Sequence, residues 1–356
     1  MAKNNNIVEI NKKELLEILN MSKSCIQNTG FIKIFENFCF SKNTIKSTNG
    51  TQSMTIKIPF DFPVKGCIKA DSLIKLINSY NSDIIKINIE EEKIKINTAT
   101  FNMLPVSEFT YKGNYIFENN NIIDLTDEII SNIEFCMPCI TNNILDQQNG
   151  LSVFIKNNIL SFGSTNGIVV SFATSKNESE LNIDLIIPKE FCFLLIKFYK
   201  LGKINKLYIS KNLVAGIGED FTIDSKINTN VKLLDYEKVI NKYKTENNSM
   251  LHISTDELIS IINRAILLGD KEKVSTISLD SDNLIIETET PSILIKDSII
   301  FENLKDDSFK FKTNINYFKN VITFTDGYYF NIEEENDVVT IGKSKDRITL
   351  LASINE

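Results

Sequence analysis

The stretch Leu160–Ala173, LSFGSTNGIVVSFA, decides how the rest of the chain is read. Two apolar runs flank Ser164-Thr165-Asn166-Gly167, and Asn-Gly between β-rich segments is a strong local signal for a hairpin. The same tetrapeptide stands at Ser47-Thr48-Asn49-Gly50, 117 residues earlier. A decayed third copy is read at Leu284–Asp297, LIIETETPSILIKD, about one period further on. Signals that recur at a fixed spacing point to an internally repeated fold.

Other landmarks keep the same period. Helix-like segments precede each hairpin, from Asn11 (NKKELLEILNMSKSCIQ), Leu125 (LTDEIISNIEFCMPCITNN) and Ser254 (STDELISIINRAILLGDKEK). Further helix-like segments follow it, from Lys69, Pro188 and Lys312, each leading into two strand-like runs. Each third therefore reads helix, hairpin, helix, hairpin. The period-2 strands and short helices predict an α+β fold with helices on one face of antiparallel sheets. The predicted boundaries are 1–119, 120–246 and 247–356, with the polar run Asn241–Ser249 as the second connection. Within the first third, Leu15, Ile18, Leu19 and Ile26 mark a helix face. Phe31–Phe40 reads as a strand. Ala70–Tyr80 reads as a helix that Asp71 and Ser72 can cap.

Composition narrows the function. The 356 residues carry a net charge of −7, which argues against a generic nucleic-acid-coating protein but leaves open one whose positive charge is confined to one surface. No apolar run is long enough for a membrane span, and the first residues lack the apolar centre of a signal peptide, so a cytoplasmic protein is expected. One histidine, no GxxxxGK[ST], no HExxH and no GxSxG leave little for imidazole, phosphate-loop or nucleophile-elbow chemistry. The expectation is no catalytic residue, no metal and no cofactor. Cys136 and Cys139 form a CxxC, but the lone His252 is distant and the pair lies in an apolar helical segment. Packing is the preferred role for both thiols.

Three αββαββ-like repeats in one chain resemble the bacterial beta sliding clamp, the processivity subunit of the replicative DNA polymerase. The likeness lies in Ile187–Lys200 (IPKEFCFLLIKFYK), Gly163–Ala173 (GSTNGIVVSFA), Leu233–Ile240 (LLDYEKVI), Ile262–Lys273 (INRAILLGDKEK) and Met103–Phe109 (MLPVSEF). It implies three DNA-clamp domains per chain, sheets outside and helices inside, forming half of a six-domain ring closed by a homodimer. It also implies sequence-independent double-stranded DNA in the ring, a replicative DNA polymerase tethered through a peptide cleft, and a clamp loader ATPase.

The candidate pore residues are Lys13, Lys23, Lys75, Lys197, Lys200, Arg264 and Lys319. The cleft positions implied by the resemblance are Thr165, Gly167, Ile168, Val169, Val170, Asn241, Leu350, Ala352 and Ile354. Here Ile168-Val169 replace the family's His-Arg, and Ala-Ser-Ile-Asn-Glu replaces its Met-Pro-Met-Arg-Leu. Ala99 and Phe101 on one side, and Ile266, Leu267 and Leu268 on the other, are the expected dimer contacts. A protein-binding scaffold that keeps the fold without encircling DNA is the alternative, and a carboxylate-metal nuclease a remote third.

Overall fold

A computed structural model of the chain describes residues 7–27, 32–41, 43–60, 62, 64–90, 92–109, 117–118, 121–140, 149–177, 181–227, 233–243, 249–252, 255–267, 274–280, 283–300, 302–303, 308–322, 328–333, 338–344 and 346–354. Its α-helices are α1 (Lys12–Ser22), α2 (Ala70–Ser79), α3 (Asp127–Cys136), α4 (Lys189–Lys200), α5 (Tyr236–Tyr243), α6 (Thr255–Ile266) and α7 (Ile315–Ile322). No helix among the described residues is long and apolar enough to cross a membrane. Packing groups the chain into two units: Met1–Leu125 with Phe193–Ile227, and Thr126–Cys192 with Asn228–Glu356.

The first unit holds an eight-stranded antiparallel sheet. Its strands lie in the order Gly66–Lys69, Asn37–Ser41, Thr44–Thr48, Gln52–Lys57, Phe221–Lys226, Leu213–Ile217, Lys206–Ile209 and Ile122–Asp124. The join between its early and late strands is the pair Gln52–Lys57 and Phe221–Lys226, in register from Phe221↔Ile56 to Ser225↔Gln52. A second sheet runs Ile7–Asn11, Ile84–Glu90, Lys93–Ile96, Ala99–Asn102. Leu15, Ile18 and Leu19 of α1 are buried, as their spacing predicts. Asn11 caps α1 by accepting from the Lys13 and Glu14 amides at 2.9 and 3.3 Å.

The second unit repeats the plan. Nine antiparallel strands run Ile183–Pro188, Gly150–Lys156, Ile159–Thr165, Val169–Lys176, Arg347–Ala352, Val338–Ser344, Tyr328–Glu333, Ser249–His252, Glu302–Asn303. Here Val169–Lys176 pairs with Arg347–Ala352, in register from Val169↔Leu351 to Ala173↔Arg347. A four-stranded sheet runs Leu294–Ile300, Asn283–Glu289, Val274–Asp280, Phe309–Asn314. One face of these sheets forms a core with α6 and α7, built on Leu258, Ile262, Ile277, Phe318, Val339 and Leu351. Val169 and Leu351 point into that core, while their neighbours Val170 and Leu350 point to the opposite face, as the two-residue period of a strand requires.

Two local expectations are corrected. Lys33–Glu36 is a 3₁₀ turn, not strand, and the strand begins at Asn37. Asn37 donates its side-chain amide to the Lys33 carbonyl at 2.7 Å, which closes that turn. Phe31 lies outside the described residues. Neither Asp71 nor Ser72 caps α2, because the helix starts at Ala70, directly off the strand Gly66–Lys69, with no side-chain cap. Asp71 sits in the first turn and pairs with Lys23 at 2.8 Å.

Candidate functional site

The turn at the centre of the decisive stretch is built from its own side chains. Asn166 N donates to Val169 O at 3.1 Å, and its Oδ1 accepts from the Ile168 and Val169 amides at 3.0 and 2.7 Å. Gly167 has φ +88°, the left-handed region that favours glycine. Asn49 does the same work one period earlier: its N donates to Gln52 O at 3.1 Å and its Oδ1 accepts from Thr51 and Gln52. Gly50 has φ +95°.

The third copy keeps the bonds and changes the residue. Thr290 N donates to Ile293 O at 2.8 Å, and Thr290 Oγ1 accepts from the Ser292 and Ile293 amides. The serines two places before each asparagine also match. Ser47 Oγ donates to the carbonyl of Ser22 at the end of α1, and Ser164 Oγ to the carbonyl of Cys136 at the end of α3. Turn and helix end are thus tied together the same way in both copies.

This turn sets the geometry of the proposed cleft. Thr165 is buried and its Oγ1 accepts from Gly167 N at 3.0 Å. Ile168 is 40% exposed, and its carbonyl accepts from Ala352 N at 2.9 Å. Val170 faces Leu350 across the strand pair, and both pack under α5 with Leu234, Tyr236, Val239 and Ile240. A β-carbon added at Gly167 would meet nothing within 4 Å, so the space over the turn is open.

The structure therefore brings together Thr165, Gly167, Ile168, Val170, Leu350 and Ala352. It places Val169 elsewhere, 2% exposed in the opposite core. Asn241 is an exposed position of α5, and Ile354 donates its amide to Lys312 O at 2.8 Å beyond the last strand. Sequence reasoning missed Leu234 and Val239. Their signal was the i, i+3, i+4, i+7 spacing of Tyr236, Val239, Ile240 and Tyr243, which makes one apolar stripe on a short helix, with Leu234 just ahead of it.

Tyr236 seats that helix. Gly163 lies beneath its ring, and a β-carbon there would fall 2.7 Å from the ring carbons. The Tyr236 ring stacks on Phe172 at 6.3 Å between centroids and meets Phe154 edge-on at 5.8 Å. Burial pushes the Tyr236 phenol up to about 12, while the hydrogen bond with Ser152 works against the shift.

The basic residues differ in how they are held. In the first unit Lys13, Lys75, Lys197 and Lys200 are exposed on α1, α2 and α4. Lys23 is tied to Asp71, and Lys197 Nζ donates to Ser24 Oγ at 3.2 Å. In the second unit Arg264 spends its guanidinium internally. Nε donates to Asp297 Oδ2 at 2.9 Å and Nη1 to Ser260 Oγ at 3.0 Å. Lys319 is half-buried on α7. Flexible, solvated ammonium groups suit loose contact with phosphate, which carries no base information.

Among the described residues, the expected dimer residues fall on an edge strand or at a helix end. Ala99 and Phe101 lie on Ala99–Asn102, the edge of the first unit's four-stranded sheet. Ile266 packs against the second unit's core, Leu267 is 80% exposed, and Leu268 lies outside the described residues. The other apolar edge is Leu294–Ile300, with Leu294 57% and Ile300 80% exposed, and Ile293 just before it 51%.

Cys136 and Cys139 are buried. Cys139 Sγ lies 3.0 Å from Ser171 Oγ. Desolvation raises both thiols, Cys139 to about 11, so they stay protonated at neutral pH and are poor metal ligands. Among the described residues no group of three or more His, Cys, Asp or Glu could hold a metal ion.

No family model matches the chain. A curated relative, the "Beta sliding clamp" of Mycoplasmopsis pulmonis, is 24% identical over 219 residues. The match takes in 58% of this chain, which spans about half (54%) of that relative's length. Solved structures are similar over almost all of it. A DNA polymerase III beta sliding clamp from Pseudomonas aeruginosa bound to griselimycin has TM-score 0.85 at 15% identity, with 99% of this chain and 100% of that chain covered. A DNA polymerase sliding clamp from Bacillus subtilis has TM-score 0.84 at 13% identity over the same shares. The fold of the chain is the sliding-clamp fold.

Proposed function

We propose that the chain is a DNA sliding clamp: a non-enzymatic homodimer that encircles duplex DNA and tethers a replicative polymerase. The observation that carries this reading is the extent of the structural likeness, which takes in 99% of this chain and all of each of the two clamps named above. The recurrence of one turn at Asn49, Asn166 and Thr290 supports it from within the chain. In this reading the chain has three clamp domains, 1–119, 120–246 and 247–356. Two copies close a ring of six, and a separate clamp loader ATPase opens it in the cytoplasm.

The subunit contact in this reading is an edge pairing. Ala99–Asn102 of one copy meets Leu294–Ile300 of its partner, which covers the exposed Leu294 and Ile300 and joins two strands that stand at sheet edges among the described residues. Leu267 adds apolar surface beside that contact. The exposed lysines of α1, α2 and α4, with Arg264 and Lys319, are the candidate DNA-facing residues. The patch of Thr165, Gly167, Ile168, Val170, Leu350 and Ala352, with Leu234 and Val239, is the candidate cleft for an apolar partner peptide.

Topology is the decisive test. Protein loaded onto nicked circular DNA should co-elute with it in gel filtration and be released when the circle is cut once. Equal retention on circular and linear DNA would sink the ring, and absence of retention on either would favour a scaffold that binds protein only. Mass in solution should be about twice the 40.5 kDa of the chain.

A further inference from the structure

On the same sheet face as Val170 and Phe172, a cavity of about 540 Å³ opens beside the start of α5. Its aromatic lining is Phe154, Phe172 and Tyr236, with the Tyr236 ring in contact with each of the other two, and Ile159, 45% exposed, stands at the margin. The charged groups lining it are Lys156, Asp184, Asp235 and Glu237. Lys156 and Asp184 pair with each other at 3.2 Å. Asp235 and Glu237 are left as exposed carboxylates, although Asp235 Oδ1 also accepts the Lys238 amide at 3.0 Å. The cavity is therefore an aromatic hollow whose described lining carries two more carboxylates than ammonium groups. Such a lining repels phosphate and attracts a cation.

We propose that this cavity docks a peptide segment of a partner protein in which an aromatic side chain stands next to an arginine or lysine. The ring enters against Phe154, Phe172 and Tyr236. The cation lies over Asp235 and Glu237, and the nearby aromatic faces add to its attraction. The site is separate from the Thr165–Val170–Leu350 patch, although Leu234 and Tyr236 border both. It stands whether or not the chain encircles DNA.

Three small probes test it on the full chain: N-acetyl-Phe-Arg-amide, N-acetyl-Phe-Glu-amide and N-acetyl-Ala-Arg-amide. Methyl NMR of Ile159 reads binding here, that of Leu234 on the shared border responds to either site, and that of Val170 and Leu350 reads the other patch. The Phe-Arg probe should bind at Ile159 at least fivefold tighter than either control, and weaken as salt rises. Asp235→Asn combined with Glu237→Gln should reduce its affinity at least fivefold. Asparagine can still cap α5, so this variant keeps its fold, which a circular-dichroism melt verifies. Ile159→Arg, on an exposed strand position, should compete through its own tethered cation and weaken the probe as well. Equal binding of Phe-Glu or Ala-Arg, indifference to the double variant, shifts centred on Val170 and Leu350, or no binding at the solubility limit would each overturn the proposal.

Discussion

At the scale of single residues, the hairpin turns offer the sharpest check on the repeat. Asn49, Asn166 and Thr290 each use one side-chain oxygen to hold two backbone amides of the same loop. Asn49→Ala, Asn166→Ala and Thr290→Val should each cost about 0.5–1.5 kcal/mol in denaturant unfolding. A cost confined to the two asparagines would deny the third turn its equivalence. Tyr236 gives a pH prediction. Its phenol is raised in the folded state, so its contribution is complete below the unfolded value near 10 and is lost as pH climbs toward about 12. Ultraviolet titration of phenolate should show a late-titrating component that disappears in Tyr236→Phe. The asparagine turns were legible because Asn-Gly is chemically distinctive. The third needed the structure, because a hydroxyl can replace the carboxamide without leaving a motif.

At the scale of elements, the fit of α5 depends on one missing side chain. A methyl at Gly163 meets the Tyr236 ring at 2.7 Å, so Gly163→Ala should destabilise the second unit by about 1–3 kcal/mol, read as a lowered melting temperature. The edge strands carry a second expectation. Leu294→Lys with Ile300→Lys should leave each chain folded and convert a dimer into a 40.5 kDa species in sedimentation. Unchanged mass would remove Leu294–Ile300 from the subunit contact. Six of the seven helices among the described residues, and most of the strands, could be read from periodicity; α5 was not, and the polar run from Asn241 read as a connection begins inside it. The cleft could be read only in part, because the family positions named Val169 while strand alternation turns it inward. The edge at Leu294–Ile300 escaped because a sequence does not say which strand of a sheet lacks a neighbour.

At the scale of the whole chain, the two large sheets are each assembled from segments remote in sequence. Gln52–Lys57 pairs with Phe221–Lys226, and Val169–Lys176 with Arg347–Ala352. Repeats and pattern pointed to three similar thirds; they gave no sign that strands from different thirds would share a sheet. Register between distant strands depends on faces and partners that no local window contains. Substituting Leu350 and Leu351 together with Ser should therefore lower protection of amides 169–176 in hydrogen exchange, far from the changed residues in sequence. Protection left intact there would mean that the strand stands without its partner.

The bond between Ser171 and Thr349 links residues 178 positions apart. A ribosome makes Val169–Lys176 long before it makes the strand that sits beside it. During that interval the growing chain presents a bare, apolar β-edge to its surroundings, open to sticking to its neighbours. Synthesis speed and chaperone supply should thus govern the yield of native protein more than the final stability does, and slowing translation just upstream of residue 347 should raise the aggregated fraction.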